Sequence, residues 1–103
     1  PGAQTTLTAA GSTPWIDIEN YSTFLWQIVV ASIDTSVDVR IEGSADGTSA
    51  FNLDDMGTDT QYTANGTYQL SKHGVACKYM RFTFVSEVGG AAATLTVTPI
   101  AGN

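Results

Sequence analysis

Residues 37–54, VDVRIEGSADGTSAFNLD, alternate apolar and polar side chains on both sides of an Asp-Gly pair. A period of two places every second side chain on the same face of an extended strand. Asp46-Gly47 predicts a turn between the two runs, because Gly accepts a positive φ and Asp tolerates turn geometry. The stretch therefore predicts a β-hairpin. The positions of its first strand that share the apolar face are Val37, Val39, Ile41 and Gly43.

The same period recurs along the chain, and no long segment has the 3.6-residue apolar period of a helix. The clearest further strands are expected at 23–33, 77–88 and 92–100, with shorter or weaker ones elsewhere. Seven or eight short strands at this spacing indicate an all-β, single-domain antiparallel β-sandwich, jelly-roll-like in type. Residues 14–103 are expected to form this sandwich, and residues 1–13 an N-terminal arm or a weak edge strand.

Segment 23–33, TFLWQIVVASI, is the most apolar stretch of the chain. We expect it to be a central strand covered on both faces, by the sandwich on one side and by the sandwich or a neighbouring subunit on the other. In 77–88, Met80, Phe82 and Phe84 are expected to face the interior, since they occupy alternate positions. The single cysteine leaves no internal disulfide, so further stability has to come from packing or from partner subunits.

The charge balance limits the classes of partner. The net charge is −6 with only four Lys and Arg. Such a chain is repelled by phosphate backbones, so we expect no nucleic-acid partner. No apolar run approaches the roughly 20 residues that cross a bilayer, so we expect no membrane partner. A leading Pro is consistent with removal of a start methionine and favours an intracellular product, while a mature secreted fragment stays open.

Candidate catalytic and metal-binding groups are few. His73 and Cys77 are four residues apart, about 13 Å in extended chain, and no third group is placed to orient them. One Cys and one His also leave a zinc site two ligands short. Asp54, Asp55 and Asp59 cluster around a Gly, as in a calcium-binding loop or an ordinary acidic turn. Their spacing matches no EF-hand, and whether they hold an ion stays open.

Three more carboxylates, Asp17, Glu19 and Glu42, supply the residue type of a glycosidase acid–base pair. They are expected on outward strand positions, which is the ordinary pattern of a solvated sheet face. We therefore expect no catalytic residues, no cofactor and no metal site, and a protein that is not an enzyme.

Large aromatic side chains are more numerous than a thin sandwich needs. Trp15 is expected to face away from Ile16 and Ile18, where it would anchor a subunit contact or stack on a sugar. Trp26 lies within the apolar strand and is expected in the core or at its covered face. The residues that we assign to a candidate interface are Trp15, Tyr21, Phe24 and Trp26. The alternative sugar-stacking platform is Trp15, Tyr21 or Tyr62.

The pattern V-x-I-E-G-S-x-D-G-T-x-x-F-N-L at 39–53, followed by KYMRFTFVS at 78–86 and ATLTV at 93–97, resembles small β-sandwich structural proteins of tailed bacteriophages. These include capsid decoration, or cement, proteins. The pattern is also similar to discoidin-like carbohydrate-binding modules. It departs from those modules in its shorter chain and in Ala50-Phe51, where they commonly carry a Trp.

The phage resemblance implies a non-enzymatic virion protein that stabilises contacts between major capsid subunits. It would be made in the host cytoplasm and mounted on the capsid surface. It also implies a homo-oligomer, with a trimer expected, in which a neighbouring copy covers the second face of 23–33. Residues 1–13 would then extend along the capsid or a neighbouring protomer. The alternative is a carbohydrate-binding module that stacks its exposed aromatics on sugars.

Overall fold

The computed structural model describes residues 4–19, 21, 23–53, 59–73, 78–90 and 92–102. Within these ranges the chain forms ten β-strands and no helix. The strands are β1 (Thr5–Leu7), β2 (Gly11–Ser12), β3 (Ile16–Asp17), β4 (Thr23–Ala31), β5 (Ser36–Ser44), β6 (Phe51–Asn52), β7 (Thr60–Tyr62), β8 (Gly66–His73), β9 (Tyr79–Val88) and β10 (Thr94–Gly102).

Two antiparallel sheets make up the sandwich. Sheet A has the order β1-β10-β4-β8. In sheet B, β9 and β5 are the central strands, β2 and β3 pair with β9, and β6 and β7 pair with β5. β2 and β3 both pair with β9, and β6 and β7 both pair with β5, so each of these pairs can be counted as one interrupted strand. The sandwich then has eight strands in chain order. The first pairs with the eighth, the second with the seventh, the third with the sixth and the fourth with the fifth, which is the strand order of a jelly roll.

The predicted all-β sandwich is thus confirmed, and the strand number exceeds the expected seven or eight because two edge strands are interrupted. The predicted inward positions of β5 and β9 are confirmed as well, whereas Glu42, expected on an outward position, is 9% exposed. Alternate side chains of the central strands point into one core between the sheets. Trp26 and Phe82 meet at its centre, with ring centroids 5.8 Å apart. The buried apolar side chains are Ile18, Phe24, Trp26, Ile28, Val30, Val37, Val39, Ile41, Met80, Phe82, Phe84, Ala93, Leu95 and Val97.

The predicted hairpin forms between β5 and β6, with a longer loop than a two-residue turn, and Asp54 at the end of the predicted stretch lies outside the described residues. Gly43 pairs with Phe51, and residues 45–50 connect the end of β5 to the start of β6. Asp46 organises this loop, because its Oδ1 accepts hydrogen bonds from the amides of Thr48 and Ser49, both at 2.8 Å. Gly47 has a φ of 77°, the left-handed conformation expected of Gly in a turn.

The N-terminal segment lies along both sheets. β1 pairs with β10 at the edge of sheet A, and β2 pairs with β9 at the edge of sheet B. Residues 5–12 thus supply two short edge strands. Residues 1–3 lie outside the described part of the chain.

The loop at residues 63–65, between β7 and β8, connects the two sheets. β7 belongs to sheet B and β8 to sheet A, so the chain crosses the open side of the sandwich between them. Asn65 Oδ1 accepts a hydrogen bond from the Ile33 amide at 2.9 Å. The rings of Tyr62 and Tyr68 stack across this side with centroids 4.0 Å apart. These contacts tie the two layers together where no strand pairing does.

Candidate interaction surface

The outer face of sheet A is built by the second set of alternate positions on its strands. Along β4, Phe24, Trp26, Ile28 and Val30 are buried, whereas Gln27 and Val29 between them are exposed and Leu25 is half-buried. The predicted cover on both faces of this strand is therefore present on one face only in the single chain. The register of β4 with β10 and β8 shows which side chains share its outward side.

Five rows of residues run across this outward side, and the four rows through Leu25, Gln27, Val29 and Ala31 contain no Asp, Glu, Lys, Arg or His. We name the surface of these four rows the neutral face. Its members are Thr6, Leu25, Gln27, Val29, Ala31, Thr67, Gln69, Ser71, Thr94, Thr96, Thr98 and Ile100.

The neutral face combines threonines and glutamines with three larger aliphatic side chains. Ile100 is 52% exposed and Val29 is 37% exposed, and Ile100 lies directly opposite Leu25 across the β10–β4 pair. β-Branched side chains stand stiffly from a pleated sheet, so the surface is regular and loses little rotamer entropy when it is covered. Such a surface suits contact with another flat, uncharged surface.

The outer face of sheet B has the opposite chemistry. Glu42 Oε1 accepts hydrogen bonds from Arg81 Nε at 2.7 Å and from Thr83 Oγ1 at 3.0 Å. Arg40 Nη1 lies 3.7 Å from Glu42 Oε2, and Arg40 Nε lies 3.0 Å from Asp59 Oδ1. We name this surface the charged face. Four of its charged side chains, those of Arg40, Glu42, Asp59 and Arg81, are paired with one another, and Glu42 is 9% exposed.

Trp15 belongs to the charged face. The Arg81 guanidinium lies 4.3 Å from the centre of the Trp15 ring, within the range of a cation–π contact. Trp15 is half-buried by this contact. The predicted outward orientation thus holds, and the side chain that covers it comes from the same chain.

The four predicted interface residues lie in three different places. Trp15 is on the charged face, and Tyr21 is 39% exposed just before β4. Phe24 and Trp26 are 4% and 0% exposed, because they occupy the inward positions of β4. They therefore contact the core of their own chain, and the structure does not gather the four into one surface.

The residues that the sequence reasoning missed are Leu25, Val29 and Ile100. The available signal was the alternation within TFLWQIVVA, since inward and outward positions can be separated once Trp26 is assigned to the core. Apolar side chains at both sets of positions obscured it. Ile100 is assigned to the same patch only by its pairing with Leu25, which is a long-range contact.

The other candidate groups also have defined places. Tyr62, expected as a stacking platform, stacks on Tyr68. Asp59 contacts Arg40, whereas Asp54, Asp55 and Cys77 lie outside the described residues. In the part of the chain that the structure describes, no three His, Cys, Asp or Glu side chains are grouped so as to hold a metal ion.

The carboxylates considered for acid–base chemistry are tied into the local structure. Asp17 Oδ1 accepts a hydrogen bond from the Glu19 amide at 2.9 Å, and Glu42 is held by Arg81 and Thr83. Over the described ranges the chain has no helix of the length and apolarity needed to span a membrane.

Comparison with known proteins gives a likeness of fold. No family model matches the chain, and no curated protein matches its sequence. Among solved structures, the crystal structure of the SPBc2 prophage-derived protein YomS is similar, with a TM-score of 0.62 and 14% sequence identity. The match covers 96% of this chain and 92% of YomS. The two chains therefore share one whole sandwich fold.

Proposed function

We propose that this chain is a non-enzymatic structural protein of a bacteriophage particle. The observation that carries the proposal is the likeness of fold to a prophage-derived protein over nearly the full length of both chains. A jelly roll supports many unrelated functions, so the fold alone has to be joined to the chemistry of the surface. The chain presents a broad neutral face on sheet A and, on the opposite side of the sandwich, a charged face on which Arg40, Glu42, Asp59 and Arg81 are paired.

Within that class, we propose a capsid decoration, or cement, protein. It is made in the host cytoplasm, is mounted on the outside of the capsid and stabilises contacts between major capsid subunits. The neutral face supports this role, because it offers a regular area for contact with particle subunits, copies of this chain included. The net charge of −6 supports an external position, where the chain is not drawn to packaged DNA.

Repetition on a capsid makes modest contacts sufficient for this role. Several weak contacts made at once hold far more tightly than one, because each bound contact raises the effective concentration for the next. A decoration protein therefore needs no deep pocket and no large single interface. The flat neutral face and the short edges of the sandwich are suited to such distributed contact.

A carbohydrate-binding module, the alternative expected from the sequence, has less support. Sugar stacking needs an open aromatic face. One ring face of Trp15 is covered by Arg81, and Tyr62 is stacked on Tyr68. Of the three candidate rings, Tyr21 remains exposed.

Co-sedimentation with capsid shells tests the proposed function. The probe is shells assembled from the major capsid protein of the phage genome that encodes this chain. We expect the chain to pellet with shells at a fixed ratio per capsid subunit and to raise the temperature at which the shells melt. Unsaturable or absent pelleting contradicts the role, and binding to a glycan array that is lost in Trp15→Ala favours the carbohydrate alternative.

A further inference from the structure

The neutral face is complementary to itself in hydrogen bonding. Its middle row consists of Thr98, Gln27 and Gln69, which lie side by side across β10, β4 and β8. A glutamine amide both donates and accepts, and a threonine hydroxyl does the same. An identical row turned to face this one therefore finds a partner for every polar group. A surface of carboxylates has no such property.

The apolar side chains of the neutral face lie on both sides of that middle row. Val29 is two positions along β4 in one direction, and Leu25 is two positions in the other, with Ile100 opposite it. A two-fold axis that passes between the faces at Gln27, perpendicular to the strands, superposes the two ends. It places Val29 of one copy over Leu25 of the second, and Thr96 of one copy over Ile100 of the second.

Charge determines the face through which two copies of this chain can meet. Each chain carries a net charge of −6, so two copies repel one another through most orientations. The four rows of the neutral face contain no charged side chain. Approach through this face therefore keeps the acidic groups of two copies farthest apart while it covers Val29 and Ile100.

The area available is enough for a weak dimer. Strands β10, β4 and β8 lie ~4.8 Å apart with about seven residues of ~3.4 Å each, and β1 adds three residues, so the face covers roughly 400 Å² on each copy. The total of roughly 800 Å² is the size of a weak contact whose dimer forms only at high concentration. Face-to-face sheets in sandwiches pack about 10 Å apart, and this face has the short, branched side chains that such packing uses.

We infer that two copies of this chain pair through their neutral faces, sheet A against sheet A, around a two-fold axis near Gln27. This pairing deepens the proposed function by naming the partner of the neutral face. It differs from the trimer expected from the sequence, because a flat face laid on its own counterpart closes after two copies. The charged faces of the dimer point outward on both sides.

Sedimentation velocity over a range of protein concentrations tests the pairing. We expect the mass to rise with concentration from that of one 10.8 kDa chain to twice that value and to stop there. A single-chain mass at every concentration overturns the inference, and so does a mass of three chains.

Two variants locate the contact. Val29→Lys places a charge inside the proposed interface, and Gln27→Glu places two like charges at its axis without a change of shape. Each is expected to weaken dimerisation about tenfold or more, the effect of roughly 1.4 kcal/mol. Val88→Lys is the matched control, because Val88 is a 49% exposed valine on β9 in sheet B, and it should leave the dimer unchanged. A dimer that withstands both neutral-face variants contradicts the inference.

The same samples separate this inference from the proposed function. If Val29→Lys is a single chain yet still pellets with shells, the shell contact lies elsewhere and the pairing stands. Wild-type chains that pellet with shells but never pair overturn the pairing and leave the proposed function in place. Chains that pair through the neutral face but never pellet with shells overturn the proposed function and leave the pairing in place.

Discussion

Gly89, in the turn between β9 and β10, has a φ of 94°, which L-amino acids rarely adopt. A β-carbon at this position would also collide with the Thr35 hydroxyl of the turn between β4 and β5. Gly89→Ala is therefore expected to lower the free energy of unfolding by about 1–3 kcal/mol. Urea denaturation followed by tryptophan fluorescence measures the change.

Gly11→Ala is the matched control for that substitution. Gly11 lies in the edge strand β2 with a negative or extended φ, and the nearest atom to an added β-carbon would be the Ala9 carbonyl oxygen at 3.9 Å. We expect a change much smaller than that of Gly89→Ala. Equal losses in the two variants would show that the turn conformation is not the cause.

Asp46 makes the loop after β5 sensitive to acid. Hydrogen bonds from the amides of Ser49 and Thr48, and from the Ser44 hydroxyl, lower the pKa of this carboxyl below its ordinary value of 3.8. The stabilisation is thus present above pH 3.8 and is lost as the pH falls through the lower pKa of the folded state. Wild type and Asp46→Ala should differ in stability near neutral pH and converge in strong acid, as measured by urea midpoints across pH. A difference that grows toward acid would contradict this assignment.

At the scale of the strands, β5 and β9 are joined on their outer side by the Glu42–Arg81 ion pair. Arg81→Met retains an apolar stem against Trp15 but removes the shortest contact of the Glu42 carboxylate, which keeps the Thr83 hydrogen bond and Arg40 at 3.7 Å. We expect the free energy of unfolding to fall by about 1–3 kcal/mol, the range for removing one partner of a buried hydrogen-bonded group. Thermal unfolding and urea unfolding both measure this loss of stability.

Lys78→Met is the control, because it also removes a cation from an ion pair. Lys78 Nζ lies 3.6 Å from Glu19 Oε2, but the two side chains are 44% and 59% exposed. Exposed pairs of this kind contribute about 0–1 kcal/mol. A loss in Lys78→Met as large as in Arg81→Met would show that burial of Glu42 does not set the difference.

The strands themselves could be predicted because alternation is a local property. It assigned Val37, Val39 and Ile41 of β5 to the core, and the structure agrees. It also placed Glu42 on a solvated side, whereas this residue is 9% exposed. Arg81 and Thr83 of β9 enclose Glu42. Neither neighbour can be read from the alternation of β5 alone.

The candidate surface was predictable only in part, for a similar reason. The pattern of β4 identified a strand with apolar side chains on both sides and an outer face in need of cover. The interface prediction included Phe24 and Trp26 because their rings are large. These two side chains instead lie in the core between the sheets, where they are 4% and 0% exposed. The rows that join Leu25 to Ile100 depend on which strands lie side by side, and that order is a property of the whole jelly roll.

At the scale of the molecule, charge is distributed unevenly between the two outer faces, and salt should reveal it. Dissolved ions screen repulsion between copies of a chain with net charge −6, while contact through the neutral face contains no ion pair to weaken. The dimer should therefore become tighter as NaCl is raised from low to moderate concentration, measured by sedimentation velocity. Weakening by salt would indicate that the copies meet through charged groups.

The central claim is that the neutral face is covered when the protein is assembled, and hydroxyl-radical footprinting with mass spectrometry tests it residue by residue. Isolated chains at low concentration are compared with concentrated protein and with shell-bound protein. The account predicts that oxidation of Val29, Leu25 and Ile100 falls on assembly, while Phe51 and Val88, which are 46% and 49% exposed elsewhere, keep their reactivity. Unchanged oxidation of the three neutral-face residues in every assembled state would contradict it.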